Sequence, residues 1–187
     1  MTLENRYKPR IALFDTDKKW LCSAARAVNL NRSYELDWVI DLSFIMDRFI
    51  DTTRCLGISS NNIFWNKTDV PLRIMYVPHP VYEKYVTLVN PEIKEMSRRT
   101  FESVEGCAAF PNKGFRVRRS CYVRLSGFAM RNYELKPVEL EYGTDEKILS
   151  PKNRNLFETA WIVQHELDHL EGILLKDKAV SSFEVDE

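Results

Sequence analysis

The segment Gln164–Leu170, which reads Gln-His-Glu-Leu-Asp-His-Leu, constrains this chain more than any other. On a helix, residues four apart project from the same face, so His165 and His169 place two imidazole nitrogens side by side. These nitrogens can bind one divalent metal ion, with Glu166 beside them as a general base. The alternative is a solvated helix face. Because two of the chain's three histidines occupy this single turn, we favour a metal-dependent hydrolytic site.

A site of this kind needs a third protein ligand, and the pattern downstream of His169 does not supply one. A known protease pattern continues with x-x-Gly-x-x-His after the second histidine. Gly172 matches its glycine, but the last position is Leu175, which has no ligand atom. We therefore expect the third ligand upstream of the helix.

Upstream, the strongest candidate is Cys107, which ends the segment Glu105-Gly106-Cys107. A neighbouring glycine removes side-chain bulk, so a thiolate there can approach a metal closely. Thiolate combined with imidazole suits iron(II), zinc, nickel or cobalt. A lone cysteine is more commonly a free buried thiol, and the residues alone leave both interpretations open.

Taken together, Glu-Gly-Cys and the later Gln-His-Glu-Leu-Asp-His-Leu resemble the peptide deformylase family. The resemblance implies that Cys107, His165 and His169 hold one divalent metal ion. Iron(II) is usual in the family, with zinc, nickel or cobalt as alternatives. It also implies that Glu166 takes a proton from a metal-activated water as the water attacks a formyl carbon, and then passes it to the leaving amine. The products are formate and a peptide with a free N-terminal methionine.

A further segment, Cys55–Asn62, resembles the family's Gly-apolar-Gly-apolar-Ala-Ala-x-Gln in part. Gly57 matches the second glycine. Serines replace both alanines, and the remaining departures are Cys55 for the first glycine and Asn62 for the glutamine. The side chain of Asn62 is one methylene shorter than that of glutamine. Whether its amide can act like the family residue therefore depends on whether it reaches the oxyanion.

The resemblance also assigns residues to the substrate. The backbone N–H of Ala108 and the side chain of Asn62 are expected to bind the oxyanion. Gly57 and Gly106 let the peptide backbone lie close, paired as an added strand. Trp161 is one helical turn before His165, and we expect it to line the pocket for the first substrate side chain; ordinary core packing is the alternative.

Three residues outside these motifs also have expected positions or roles. Arg119 falls where the family keeps an arginine, and we expect it to bind the carboxylate of Glu105. Gly114 stands where many deformylases carry an arginine near the bound peptide. His79 lies between two prolines, which predicts a surface residue without a ligand role.

Composition narrows the function classes. Lys and Arg number 27 and so do Asp and Glu, which argues against nucleic acid or an anionic membrane as the main partner. No apolar run approaches the length of a membrane span, and the first ten residues contain no apolar signal segment. Four cysteines in such a chain suit free thiols in a reducing compartment. We therefore expect a cytoplasmic enzyme.

The fold class follows from periodicity. With 187 residues and 44% hydrophobic composition, the chain supports one core, so we expect a single metallohydrolase domain over 1–187. A helix is predicted from Leu36 to Asp51 and another from about Asn155 to Leu170. The second helix is expected to be buried through an apolar stripe of Leu156, Ala160, Val163, Leu167 and Leu170. Gly172 is expected to end it.

Short segments rich in β-branched and aromatic residues predict strands between turn residues. The strands are Leu72–Val77, Tyr85–Val89, Phe101–Glu105, Cys121–Leu125, Phe128–Tyr133 and Val138–Tyr142. Turns are predicted at Asn90-Pro91, Pro111–Gly114, Ser126-Gly127 and Lys136-Pro137, and the tail from Ser181 to Glu187 is predicted to fray. The resulting fold class is α+β. The resemblance to the deformylase family implies that the antiparallel strands surround a central metal-binding helix.

Other functions remain open at this point. A zinc endopeptidase shares the His-Glu-x-x-His helix. A deformylase relative with a changed substrate or lost activity is consistent with the altered Cys55–Asn62 segment. For a deformylase, the partner is a formylated nascent peptide, with ribosome association and a monomeric state as further expectations.

Overall fold

The computed structural model describes residues 9–53, 55–65, 67–82, 84–144 and 154–185, and within 154–158 the backbone only. Its helices are α1 (Phe14–Leu21), α2 (Ser33–Thr53), α3 (Arg154–Leu170) and the short α4 (Leu175–Lys178). Its strands are β1 (Arg10–Ile11), β2 (Ile58–Ser59), β3 (Ile63–Phe64), β4 (Ile74–Pro78), β5 (Tyr85–Met96), β6 (Thr100–Cys107), β7 (Phe110–Ser120), β8 (Tyr122–Arg131), β9 (Glu134–Gly143) and β10 (Ala179–Glu184).

The strands form three antiparallel sheets. The largest has the order β2-β4-β5-β8-β9, the second has the order β10-β7-β6, and β1 pairs with β3. Mixed helices and antiparallel strands make the fold α+β, as predicted. Within the described ranges, none of the helices is long and apolar enough to cross a membrane.

Helix α3 lies at the centre of the main core. Its residues Ala160, Val163, Leu167 and Leu170 are at most 4% exposed and share one apolar cluster with the five-stranded sheet. The predicted buried stripe is therefore confirmed, except that the side chain of Leu156 lies outside the described residues. Burial of a complete apolar stripe is what positions a helix inside a domain rather than on its surface.

Helix α2 packs on the outer part of the five-stranded sheet. It extends the predicted helix by a few residues at each end. One face of this helix is apolar: Leu42, Met46 and Ile50 are buried, and Ile45 and Phe49 pack against the same cluster. This helix supports the sheet and carries none of the predicted site residues.

Several predicted turns are wrong because bulges and edge positions accommodate turn-like residues inside strands. Ser126 and Gly127 lie within the continuous strand β8, where the segments Cys121–Leu125 and Phe128–Tyr133 had been predicted as separate strands. A Cβ on Gly127 would lie 3.1 Å from the carbonyl oxygen of Val89, so the glycine allows a close approach of backbones.

The prolines of two further predicted turns also lie inside strands. Pro91 lies in β5, which continues to Met96 through a shift in register after Val89. Pro137 lies in β9, which is the last strand of its sheet, so its missing N–H removes no necessary ladder bond. The two turns were therefore predicted wrongly, because proline is tolerated in a strand at an irregular position and at a sheet edge.

The segment beyond Ala179 corrects a further prediction. The expected frayed tail belongs to β10 as far as Glu184, since β10 pairs with β7 from Ala179 to Glu184, and residues 186–187 lie outside the described ones. The same strand β7 runs through Pro111–Gly114, where a turn was predicted. Because β7 offers an open edge to this segment, tertiary pairing orders residues whose composition alone predicts a loose end.

The C-terminal end of α3 contacts the segment that follows α1. The Ala25 N–H donates to the carbonyl of Leu170 at 2.8 Å. Gly172 ends the helix as predicted, with φ of 73°, and a Cβ there would lie 2.5 Å from the carbonyl oxygen of Cys22. Only glycine suits both the left-handed conformation and this close contact.

Candidate active site

Helix α3 brings His165 and His169 together, as their spacing predicted. Their Nε2 atoms are 3.1 Å apart, and the two ring centroids are separated by 4.8 Å. The residues are 6% and 1% exposed, respectively. Both imidazoles therefore direct their Nε2 atoms toward one buried position.

The third predicted ligand reaches this point from the end of β6. Cys107 lies at the β6–β7 hairpin, and its Sγ is 3.3 Å from Nε2 of His169. One ligand atom from each of Cys107, His165 and His169 lies within 4.8 Å of the others. His79 is not part of this group and instead accepts backbone N–H groups of its own loop.

The chemistry of these donors fits a divalent metal ion. Metal–nitrogen bonds of about 2.0–2.1 Å and metal–sulfur bonds of about 2.3 Å, at tetrahedral angles, separate ligand atoms by roughly 3.3–3.6 Å. The Nε2–Nε2 separation of 3.1 Å and the Sγ–Nε2 separation of 3.3 Å are close to that range. Burial and the neighbouring His165 hold the pKa of His169 well below its usual value, which keeps its imidazole neutral, the form that binds metals.

A buried carboxylate orients the first histidine. Glu105 Oε2 lies 2.9 Å from Nδ1 of His165, which leaves Nε2 free to face the ligand group. Arg119 donates two hydrogen bonds of 2.7 Å to the carboxylate, so the predicted Arg119–Glu105 contact is confirmed. Burial acts to raise the pKa of Glu105, but the bonds with Arg119 and His165 outweigh it and lower that pKa to about 2. Glu105 is therefore ionised.

Two residues that sequence reasoning missed connect α3 to β7. Asp168 accepts from Arg119, and it also accepts from Lys178. Gln164 donates to the carbonyl of Ser120 at 2.9 Å and accepts from the N–H of the same residue at 2.9 Å. Both lie inside the histidine motif, so their polar character on a buried helix was the signal that could have identified them.

Glu166 lies on the side of α3 that faces β2. It is 4% exposed, and its Oε2 has no hydrogen-bond partner among the described residues. Burial raises the pKa of Glu166 above its usual value. A buried carboxyl with a raised pKa is suited to accept and release a proton near neutral pH.

Gly57 fits tightly against the same helix. A Cβ at Gly57 would lie 2.7 Å from Cγ2 of Ile162 and 3.2 Å from Oε1 of Glu166. A larger residue at this position would displace the carboxylate or the strand. The predicted glycine thus adjoins Glu166 directly.

The short amide of Asn62 also reaches the ligand group. Asn62 ends a turn of 3-10 helix at Ser60–Asn62, and its Nδ2 lies 3.4 Å from Nε2 of His169 and 3.9 Å from Sγ of Cys107. Ala108 follows Cys107 in the hairpin and is partly buried. Both residues expected at the oxyanion therefore border the three ligand residues.

The remaining predicted residues surround the group more loosely. Gly106 is exposed, and a Cβ there would meet no atom within 4 Å, so the space above it is open. The ring centroid of Trp161 is 6.4 Å from that of His165, and the indole also packs against the main core. None of the four cysteines, all of which lie in the described ranges, forms a disulfide.

Comparison with known proteins agrees with this geometry. A family model described as polypeptide deformylase matches residues 13–184. Peptide deformylase 2 of Clostridium perfringens is 29% identical over 136 residues, which span 73% of this chain and 74% of that protein. Peptide deformylase 1 of Bacillus subtilis is 37% identical over 102 residues, which span 54% of this chain and 53% of that protein.

Solved structures resemble the whole fold. The class I type b peptide deformylase of Acinetobacter baumannii aligns with a TM-score of 0.67 and 25% identity, covering 90% of this chain and 97% of that one. Peptide deformylase 1B of Arabidopsis thaliana aligns with a TM-score of 0.68 over 92% of this chain and 82% of that one, and at 22% identity it supports the fold alone. The family model spans nearly the whole chain, and this chain therefore belongs to the polypeptide deformylase family.

Proposed function

We propose that this chain removes the formyl group from N-terminal formylmethionine of nascent peptides, releasing formate. Its family makes it a metal-dependent hydrolase that acts on formylated N-termini. The observation that carries the proposal for this particular site is the convergence of Cys107, His165 and His169 beside a buried Glu166.

Cys107, His165 and His169 are the proposed metal ligands, and iron(II) is the proposed ion, with zinc, nickel or cobalt as alternatives. One thiolate and two neutral imidazoles form a mixed donor set that suits these ions. When bound, the ion acts as a Lewis acid that lowers the pKa of a water molecule to about 7. Glu105 holds His165 in the orientation that this ligation requires.

Glu166 is the proposed general base and acid. Its carboxylate accepts the water proton during attack on the formyl carbon, and it then delivers that proton to the departing amine nitrogen. The raised pKa of Glu166 favours both halves of this transfer. A group with the usual glutamate pKa would accept the proton less readily at neutral pH.

Asn62 and Ala108 are the proposed donors to the formyl oxygen as it becomes negative. The side-chain N–H of Asn62 and the backbone N–H of Ala108 border the ligand residues from two different elements. Fixed donors aimed at a developing oxyanion stabilise the transition state more than the substrate.

The substrate peptide is proposed to run beside Gly57 and Gly106. In the sheet order β10-β7-β6, strand β6 is at an edge, so an extended peptide can pair with it as an added strand. Trp161 is proposed to line the pocket for the first side chain. If so, replacing Trp161 by alanine broadens acceptance of bulky first residues, whereas an equal loss for every substrate indicates core packing alone.

The cellular setting is also part of the proposal. A single metallohydrolase domain that acts as a monomer on nascent chains in the cytoplasm is consistent with a balanced charge and free thiols. Transient association with ribosomes follows from the substrate. Sedimentation of the purified chain and its distribution between ribosomal and free fractions measure these two properties.

The central experiment compares the chain with its Glu166→Gln variant after anaerobic purification. The wild type is expected to release formate from formyl-Met-Ala-Ser. The variant is expected to retain the metal and to lose about 10²–10⁴-fold in kcat, as loss of a general acid–base does. Loss of metal together with turnover in the variant would show that Glu166 is structural.

The same preparation separates the alternatives. Cleavage of unformylated proteins at internal bonds would identify an endopeptidase instead. Full metal content without turnover of any formylated peptide would identify a relative that has lost this activity, and turnover of other formylated compounds alone would identify a changed substrate.

A further inference from the structure

The turn that carries Asn62 is built around a second polar residue, Ser59. The Ser59 hydroxyl donates to Oδ1 of Asn62 at 2.7 Å, and the Ser59 backbone N–H lies 3.3 Å from the same oxygen. The two residues form a reciprocal capping box around the 3-10 turn. They are 0% and 3% exposed, so water does not compete for these bonds.

These contacts decide which way the amide points. A backbone N–H and a hydroxyl both donate to Oδ1, so the other end of the amide, Nδ2, faces His169 and Cys107. An amide held only by its own rotamer could present either end. Ser59 therefore determines that Asn62 offers a donor to the site.

We propose that Ser59 is a positioning residue that allows the short amide of Asn62 to act as the oxyanion donor. The inference rests on the proposed deformylase reaction. Without the hydroxyl, the asparagine side chain keeps only the longer of its two bonds to Oδ1, and its orientation is less firmly held. A glutamine at the same position has an additional methylene and does not depend on this bond to reach the site.

The test is a double-substitution cycle on formyl-Met-Ala-Ser. Ser59→Ala is expected to lower kcat by about tenfold, the worth of one fixed hydrogen bond, with KM and metal content unchanged. Asn62→Gln combined with Ser59→Ala is expected to recover most of that loss. Unchanged kcat in Ser59→Ala, or no recovery in the double variant, would overturn the proposal.

The Ser59 hydroxyl also neighbours the Glu166 carboxylate, so the pH profile is a necessary control. An effect through Asn62 leaves the acid limb of the kcat profile in place, whereas an effect through Glu166 moves it and overturns the proposal. The side-chain ¹⁵N resonance of Asn62 in the metal-free protein gives a readout independent of turnover. In Ser59→Ala this resonance should move from the shift of a single ordered amide to a value averaged over several side-chain conformations. If the wild type itself has no activity on this peptide, the proposed function fails, and the resonance alone then decides the role of Ser59.

A separate observation concerns the outer face of the three-stranded sheet. Gly106 and Gly114 are paired across β6 and β7, and Gly114 is paired with Phe183 across β7 and β10. The Phe183 ring occupies the place of a side chain at Gly114, since a Cβ there would lie 2.4 Å from its Cζ. The surface over Gly106 is therefore open, and an aromatic ring covers the neighbouring Gly114.

Alternation along a strand identifies which substrate residue faces this open surface. Cys107 and Glu105 point inward and Gly106 points outward. In a peptide paired with β6, a first side chain that points inward toward Trp161 is followed by a second that points outward, on the face of Gly106. Two strand spacings, about 9.6 Å, separate that second residue from Gly114, so a large aromatic side chain lying across Gly106 reaches the Phe183 ring.

We infer that Phe183 forms a subsite for an aromatic side chain at the second residue of the formylated peptide. This inference also rests on the proposed function and on the peptide pairing with β6. Phe183 is 40% exposed, and the neighbouring Val104 is 56% exposed on the same face, so both have apolar surface available for contact. An aromatic contact of this kind is worth roughly two- to tenfold in kcat/KM.

The measurement is the ratio of kcat/KM for formyl-Met-Trp-Ser to that for formyl-Met-Ala-Ser. Wild type is expected to favour tryptophan, and Phe183→Ala is expected to lose the preference. Val180→Ala, on the same strand and 67% exposed, is the matched control and should keep the preference. A wild-type ratio near one, or an unchanged ratio in Phe183→Ala, would overturn the subsite. Absence of activity on both peptides would count against the proposed function instead.

Discussion

The two larger sheets hold α3 by different kinds of contact. The five-stranded sheet contacts the helix through the apolar cluster that contains Val163 and Leu167. The three-stranded sheet contacts it through directional bonds, from Ser120 to Gln164 and from Arg119 to Asp168. Apolar burial is strong but not directional, so it fixes the depth of the helix. Hydrogen bonds fix its rotation and its position along the axis, which is what aligning three ligand atoms requires.

The largest effect should come from removing the ligand that the three-stranded sheet supplies. Cys107→Ser replaces a thiolate by a neutral hydroxyl, a much poorer ligand. We expect metal content to fall severely, measured by elemental analysis, and activity to fall with it. Cys55→Ser should retain its metal. Full metal occupancy in Cys107→Ser would remove this residue from the ligand set.

The second effect concerns the polar contacts alone. Arg119→Met leaves the Glu105 carboxylate buried without its cation, and breaking such a pair costs about 3–5 kcal/mol in the free energy of unfolding. Because Glu105 orients His165, metal affinity should also fall about 10–100-fold. Chelator competition measures the affinity, and the exposed neighbour Arg118→Met is the control. An unchanged affinity would mean that the polar side does not align the ligands.

The third effect isolates the apolar contacts. Leu167→Ala removes a buried side chain from the main cluster and should cost about 2–5 kcal/mol in the free energy of unfolding. The folded fraction should keep its metal affinity, because no bond to β6 or β7 changes. If metal affinity falls as far as in Arg119→Met, then the apolar contacts of the five-stranded sheet also align the ligand residues, and the two sheets do not have separate roles.

The smallest effect tests a polar atom on the apolar side. The hydroxyl of Tyr142 is buried in the main cluster and has no hydrogen-bond partner among the described residues. Tyr142→Phe removes an unsatisfied group, so the free energy of unfolding should stay the same or rise by about 1 kcal/mol. A loss of stability in urea titration would reveal a bond to the hydroxyl in solution.

The same contrast explains how far the sequence predicted the molecule. Periodicity predicted α2, α3 and the buried stripe of α3, because apolar burial follows the local repeat of the chain. The spacing of His165 and His169 predicted their convergence for the same reason. The roles of Gln164 and Asp168 were not predicted, since their partners lie in β7 and only the tertiary fold brings α3 and β7 together.

The β-region was predicted least well, for a related reason. Ser126, Gly127 and Pro137 are turn residues by composition, yet bulges and an edge position keep them inside strands. Strand β10 was missed because its order comes from the free edge of β7 rather than from its own residues. Local signals describe what a segment prefers, and pairing partners decide where those preferences are overridden.

The contacts at the end of α3 have a consequence for how the molecule assembles. Ala25 binds Leu170, and Gly172 lies against Cys22, so segments from opposite ends of the described chain meet one turn beyond His169. Contacts between residues so distant in sequence require closure of a long loop, which slows folding. We expect the ligand residues to come together late, after most strands have paired. Pulsed hydrogen exchange during refolding should therefore protect the amides of β8 and β9 before that of Ala25, whose N–H donates to Leu170.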